Sequence, residues 1–283
     1  MPEYQTNYID QAELAQLVIL HALYSQLESK HFFFQGGTAI RWCYGGNRFS
    51  EDLDFVTSLS PEDIARAVQR SGTAMERAIT AQFGPGSFAI NIRRSRATAY
   101  RAFIEYRPVT QRRKIAVRVD FERVRPGVYP DNEKVVLATL PRVAHLVADG
   151  KCAIPSPNSI LVVETKEEIL SDKLRALLER TYLKGRDFYD VWFLTKSLGI
   201  MCSGATMQRK HTMYEASFTM RRTVQFFEAL RDRESELKKV AETIKNDLAR
   251  FLPPNVMAVI EKDNFRPVAA AVADAFAQVR SYL

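Results

Sequence analysis

The stretch GGTAIRWCYGGNRFSEDLDF, from Gly36 to Phe55, decides how the rest of the chain is read. It follows HFFFQ at 31–35, a short β-prone run, so the glycine pair falls at a strand end. There Gly36 and Gly37 let backbone amides approach an anion with no Cβ in the way. Thr38 adds a hydroxyl at the start of a short helix, TAIRWCYG. The stretch closes on DLDFV at 52–56, whose alternation of acid and apolar residues has the period of a half-buried strand. Asp52 and Asp54 then share one face. Two carboxylates this close repel unless a cation lies between them. Hard oxygen donors of this kind suit Mg²⁺, completed by substrate phosphates and water.

Downstream, three strands are predicted at 87–95, 99–107 and 114–122. In the last, Ile115, Val117, Val119 and Phe121 point one way, and Arg118, Asp120 and Glu122 the other. Asp120 is therefore a third strand carboxylate. With Asp52 and Asp54 it could hold two metal ions roughly 3.5–4 Å apart, the arrangement used for in-line nucleotidyl displacement. An Asp-x-Asp alone is weak evidence and reads more readily as surface acids on an exposed strand. The Gly-Gly-Thr turn upstream and the third acid downstream tip the balance. Arg118 stands two residues before Asp120, about 6–7 Å along the same face. Two roles remain open for it: a bidentate contact to phosphates, or an ion pair that offsets the acidic cluster.

Around this core, a first helix is predicted over 11–28, with Asp10 and Glu13 as a capping-box pair. Ser60 and Pro61 open a helix reaching about Gln82. From about 131 the pattern turns helical, interrupted by a connector at 149–158. Thr165 and Glu168 form a second capping box, for a helix reaching about Arg180. Further helices are predicted over 187–197, 221–250 and 266–282. The expected division is a nucleotide-handling α/β domain over 1–130 and a mainly helical domain over 131–283.

Lys173 lies between Leu170 and Leu177 at helical spacing, so its stem runs beside an apolar stripe. Its ammonium can serve as a compact cation for a triphosphate, or simply snorkel to solvent. Asp187 and Asp190 share a helix face, and acids near a helix N-terminus also complement the dipole there.

The 283 residues carry 40 Lys+Arg against 33 Asp+Glu, a formal charge of +7. The excess is local. Phe88–Arg125 holds eleven basic residues and three acids, which suits a polyanionic partner such as nucleic acid or nucleotide phosphates, or equally a solvated sheet face. Hydrophobic residues at 46% exclude a disordered chain. No apolar run has the length of a membrane span, so no membrane association is expected. MPEYQTNYIDQAE lacks the basic and apolar regions of a secretory signal. Three scattered cysteines argue against a disulfide framework or structural zinc. Together these make a cytoplasmic location the expectation. The four histidines have no ligand-like spacing. No G-x-S-x-G or P-loop pattern occurs.

The order Gly-Gly-Thr, Asp-x-Asp, then a lone strand Asp resembles the polymerase-β nucleotidyltransferase superfamily. More narrowly, GGTAIR followed by RFSEDLDF resembles the AbiEii toxin family, which includes the MenT toxins. SDKLRALLER at 171–180 and GRDFYDVWFL at 185–194 are similar to its downstream Lys and Arg-Asp-x-x-Asp motifs. The resemblance implies an α/β (α+β) fold, a polymerase-β-like mixed sheet flanked by helices, with a helical C-terminal half. It implies Mg²⁺-dependent transfer of a nucleoside monophosphate from an NTP to an RNA acceptor, foremost the tRNA 3′ end. It also implies the toxin role in a toxin–antitoxin pair, a cognate antitoxin, and action in phage defence by abortive infection.

By position, Ser50 and Asp52 match the family's Ser-x-Asp pair, Asp54 its second metal carboxylate and Lys173 its motif lysine. The motif aspartate is Asp187 or Asp190. The expected nucleotide-binding set is Gly36, Gly37, Thr38, Arg48, Ser50 and Arg118, and the metal set is Asp52, Asp54 and Asp120. Ser171-Asp172, just before Lys173, is an acidic departure where a small or apolar pair is expected. Two alternatives stand beside this reading. One is nucleotidyl transfer to a small molecule or protein, for which the basic stretch is a poor match. The other is a catalytically idle nucleotide- or RNA-binding module, against which the complete acid set argues.

Overall fold

Strict two-residue alternation in the 99–123 region sets the architecture. In Ala99–Pro108 and Ile115–Arg123, buried residues alternate with half-buried ones almost without interruption. That pattern means one sheet face is packed and the other is open. The computed structural model describes residues 4–154 and 157–283. Among the described residues the strands are β1 (Phe33–Gln35), β2 (Leu53–Thr57), β3 (Gly86–Arg96), β4 (Ala99–Pro108), β5 (Ile115–Arg123), β6 (Asn132–Val136) and β7 (Ile160–Glu164). They form one mixed seven-stranded sheet in the order β3-β4-β5-β2-β1-β7-β6. The β2–β5 and β1–β7 pairs are parallel and the others antiparallel.

The helices are α1 (Thr6–Tyr24), α2 (Gly36–Cys43), α3 (Pro61–Arg70), α4 (Gly72–Phe83), α5 (Pro141–Ala148), α6 (Lys166–Glu179), α7 (Gly185–Trp192), α8 (Gly204–Met213), α9 (Val224–Glu228), α10 (Glu234–Leu248), α11 (Pro254–Glu261) and α12 (Arg266–Val279). The expected α/β class with a helical C-terminal half is what the chain adopts.

Two compact units divide it. The sheet unit comprises Thr6–Gly45 and Ser50–Glu164. The helical unit includes Gly46–Phe49 and Thr165–Leu283. The sheet's packed face carries Phe34, Leu53, Phe55, Ala102, Ile104, Val117, Val119 and Phe121, all buried. Phe55 stacks on Phe121 at a centroid distance of 4.9 Å. Helices α1, α3 and α4 pack on the sheet, with α4 seated by Gly72 against Ile90. In the helical unit, Phe227 stacks on Phe276 at 4.6 Å, tying α9 to α12. No helix among the described residues is long and apolar enough to cross a membrane.

Several local expectations change. The first helix begins at Thr6, so Asp10 lies inside it and the Asp10/Glu13 capping box does not form. Glu13 is instead buried and ion-paired with Arg41 and Arg142. The helix after Ser60 is two helices parted at Ser71, whose hydroxyl bonds back to the Ala67 carbonyl at 2.9 Å. Strands β6 and β7 occupy a region read as helical. ILVVE in β7 is a short apolar run, which periodicity cannot tell from buried helix. The connector read at 149–158 includes Pro155 and Ser156, which lie outside the described residues.

Candidate active site

The open face of the sheet gathers the predicted carboxylates. Asp54 and Asp120 are register partners, as are Leu53 and Val119. Directly opposed residues project to the same side, so both carboxylates rise from one face. Asp52, one residue before β2, stands beside Arg118. The Arg118 guanidinium ion-pairs with Asp52 and reaches Asp120 at 3.0 Å. Arg101, the β4 partner of Asp120, donates to it from Nη2 at 3.0 Å. The hydrogen bond to Asp120 holds the Arg101 guanidinium more firmly in its charged form, against some burial. The charges of Asp52 and Asp54 add to that hold. Four charged side chains thus share the face with Asp54.

The Gly-Gly-Thr turn is built against this set. Gly36 has φ +78°, and a Cβ placed there would lie 2.7 Å from an Asp54 carboxylate oxygen. Only glycine meets both demands. The buried Thr38 hydroxyl donates to the Asp52 carbonyl, so it pins the loop that carries Asp52. Gly37 is buried within the first turn of α2. Ser50 is buried, and its carbonyl accepts from Gln16 at 2.6 Å. Gln16 in turn accepts from the Trp42 indole at 3.3 Å.

The divalent cation that the sequence resemblance implies can be judged on this donor set. Three carboxylates supply hard oxygens, one of them seated in the space that Gly36 leaves open. The chemistry fits, with Asp52, Asp54 and Asp120 as the residues that would hold the ion. Among the described residues no three acidic, His or Cys side chains are yet drawn together as a ligand cluster. Arg118 bridges Asp52 and Asp120, and Arg101 pairs with Asp120 alone.

The second predicted group lies within the helical unit. Lys173 on α6 reaches Asp187 at 3.3 Å and Asp190 at 2.8 Å, both on α7. Asp190 receives the Arg48 guanidinium edge-on, with one contact of 2.6 Å. Arg48 Nη1 also donates to the Phe49 carbonyl at 2.9 Å. Arg180 contacts Asp187 at 2.9 Å.

Arg48, read as a nucleotide contact, is only 4% exposed and fully engaged. Its geometry is that of an anchor for the Gly46–Phe49 loop. The same loop is held by the Tyr189 hydroxyl on Asn47 and by Phe49 N–H on the Phe251 carbonyl. Burial pushes the Asp187 carboxyl up, but Arg180 and Lys173 outweigh it and hold it at about 2. Arg48 and Lys173 likewise overcome burial at Asp190 and lower it. Both candidate motif aspartates thus pair with Lys173.

Ser171-Asp172 also finds its reason. Asp172 turns to Lys210 at 2.5 Å and to the Tyr214 hydroxyl at 2.6 Å. Lys210 is fully buried and also contacts Glu168 at 2.8 Å. Arg175 lies 3.7 Å over the Tyr214 ring. This network fixes α6 against α8 and uses Glu168, whose expected capping-box partner Thr165 still accepts the Glu168 N–H at 3.4 Å.

Sequence reasoning also gave no role to Arg101 or Gln16, and read Glu13 as a cap rather than as the buried partner of Arg41 and Arg142. Arg101 was legible only through strand register, the other two only through tertiary packing. The three cysteines are free thiols. A concavity lined by Leu27, Glu28, His31, Leu59, Asp63 and Arg66 contains none of the predicted residues.

Comparison with known proteins places this geometry. Across its full length the chain is similar to a candidate nucleotidyltransferase from H. pylori, at 15% identity and TM-score 0.54, covering 99% of each chain. It is also similar to JHP933 from Helicobacter pylori, at 14% identity and TM-score 0.50, covering 98% of this chain and 95% of that one. At these identities the likeness is one of fold. No curated protein matches the sequence. A family profile described as nucleotidyl transferase AbiEii toxin, type IV TA system, matches residues 18–277. The chain therefore belongs to the AbiEii family, the nucleotidyltransferase toxins of type IV toxin–antitoxin systems.

Proposed function

We propose that this protein uses Mg²⁺ to transfer a nucleoside monophosphate from an NTP to a hydroxyl at an RNA end, foremost the tRNA 3′ end. A cognate antitoxin restrains it, and its release arrests growth in abortive phage infection. The observation that carries this reading is the Asp54–Asp120 register on an open sheet face, with Asp52 alongside and Gly36 fitted to Asp54.

In the reaction, the acceptor hydroxyl attacks the α-phosphorus and releases its proton to water. A new P–O bond forms, the α–β phosphoanhydride bond breaks, and pyrophosphate leaves. Bound at Asp52, Asp54 and Asp120, Mg²⁺ would neutralise charge on the reacting phosphates. The backbone amides after Gly36 and Gly37 meet nucleotide phosphate without steric hindrance. Thr38 and Ser50 keep the loop bearing Asp52 in place. Arg118 is a cation on the carboxylate face suited to a phosphate oxygen. Lys173, aimed by Asp187 and Asp190, is the helical unit's cation for nucleotide use.

A small-molecule or protein acceptor is the weaker reading, because the basic stretch on the sheet unit favours a polyanion. The test is to incubate the protein with Mg²⁺, total tRNA and each NTP in turn, labelled at the α- or the γ-phosphate. Label from the α position should appear on RNA and label from the γ position should not. No α transfer with any NTP overturns the proposal.

A further inference from the structure

β3 is one of the two edge strands of the sheet among the described residues. From Gly84 to Ile104 the chain carries four arginines (Arg93, Arg94, Arg96 and Arg101) and no acid. Which face these arginines occupy is set by one irregularity. Up to Ile92 the strand alternates regularly. Asn91 pairs with Phe103, on the carboxylate face, and Ile92 pairs with Ala102, on the packed face. Continued without change, this alternation sends Arg93 to the carboxylate face and Arg94 to the other. The register shifts between Ile92 and Arg94, leaving Arg93 as the extra residue. A bulge of this kind re-aims the residues that follow it. Arg94 now pairs with Arg101, and Arg96 with Ala99, so both arginines share the face of Asp54 and Asp120.

The result is a continuous row. Arg94, Arg101, Asp120 and Asp54 are successive register partners across β3, β4, β5 and β2. At about 4.8 Å between strands, three spacings put Arg94 about 14 Å from Asp54. Arg101 is committed to Asp120. Arg94 and Arg96 are exposed, and among the described residues neither forms an ion pair. Edge charges also discourage strand pairing between molecules, but that purpose does not require a bulge that turns them to the catalytic face.

We infer that Arg94 and Arg96 are a phosphate clamp for the RNA acceptor. The clamp grips the RNA backbone about four stacked nucleotides from the reacting end, taking ~3.4 Å of rise per nucleotide. This inference rests on the RNA-acceptor reading above and adds the surface that holds the acceptor.

The experiment is fluorescence anisotropy in EDTA without NTP, using end-labelled tRNA, an RNA octanucleotide and a dinucleotide, each over a range of salt. Full-length wild type is compared with Arg94→Gln/Arg96→Gln. A second comparison is the charge-matched Arg66→Gln/Arg77→Gln, on α3 and α4. Circular dichroism and melting confirm folding of each variant. The clamp predicts about tenfold weaker binding of tRNA and octanucleotide by the edge variant, with dinucleotide binding unchanged. It also predicts that the slope of log affinity against log salt flattens by between about one and two. The helix pair should change affinity less than about threefold.

Unchanged affinity and slope in the edge variant overturn the clamp and leave the row to an acidic protein partner. Equal losses in both variants also overturn it, because net charge then explains the binding. A wild type that binds tRNA through Arg94 and Arg96 yet transfers no nucleotide sinks the enzymatic reading and leaves the clamp standing.

Discussion

Asp54 and Asp120 face one another across the parallel β2–β5 pair, and an Asp54 carboxylate oxygen lies 2.7 Å from where a Cβ on Gly36 would stand. The glycine motif and the carboxylate motif are therefore one construction. An alanine at 36 must adopt a left-handed φ and also displace Asp54. Gly36→Ala should cost about 1–3 kcal/mol of stability and weaken Mn²⁺ binding by calorimetry. Wild-type melting and wild-type metal affinity together would disconnect the two motifs.

Arg118 bridges Asp52 and Asp120, so it competes with any cation for the same oxygens. Arg118→Ala should raise metal affinity several-fold in the absence of nucleotide, while nucleotidyl transfer falls. Titration with Mn²⁺ beside a transfer assay separates the two effects. Lower metal affinity in this variant would mean that Arg118 organises the carboxylates for the ion.

Arg48 and Asp190 are 4% and 1% exposed, and breaking such a pair strands a buried charge. Arg48→Ala should destabilise the fold by about 3–5 kcal/mol. Lys173→Ala should cost less, because Asp190 keeps Arg48 and Asp187 keeps Arg180. Its main effect should be on transfer rate against NTP concentration, and Lys173→Arg should rescue it only partly. Urea melts and steady-state rates test both, and wild-type kinetics in Lys173→Ala would confine the lysine to structure.

Asp187 titrates near 2 in the folded protein, below its unfolded value of about 3.9. The depressed pKa means its stabilisation is complete above about pH 4 and is lost as pH falls towards 2. The loss amounts to roughly 2–3 kcal/mol. Asp190 is lowered as well and adds to the same acid limb. Asp187→Asn should flatten the fall of stability between pH 4 and 2, measured by denaturant unfolding. An unchanged acid limb would show that these carboxylates do not sense Arg180 and Lys173.

Much of this was readable from the chain, for identifiable reasons. The alternation in 114–122 gave the faces of Arg118 and Asp120, because a period of two survives any packing on one side. Gly-Gly-Thr announced a turn that needs a positive φ. Strand neighbours were not readable, since the pairing of β2 with β5 rather than β4 joins residues sixty-odd positions apart. A separate pairing, the β4–β5 register, makes Arg101 a partner of Asp120. The engagement of Arg48 was hidden for a similar reason: its partner Asp190 lies 142 residues away. β7 was lost because a five-residue apolar run carries no period of its own. Asp172 looked out of place until Lys210 and Tyr214, distant in sequence, supplied its charge and hydrogen bond.

On the function proposed above, Asp52, Asp54 and Asp120 together carry metal-dependent nucleotidyl transfer. The most direct test is label transfer from α-labelled NTP to tRNA by wild type, Asp52→Ala, Asp54→Ala and Asp120→Ala at saturating Mg²⁺. Melting curves must show each variant folded. Transfer should fall by about a hundredfold or more in all three, with little change in RNA binding. Transfer at the wild-type rate by a folded Asp52→Ala protein would contradict it.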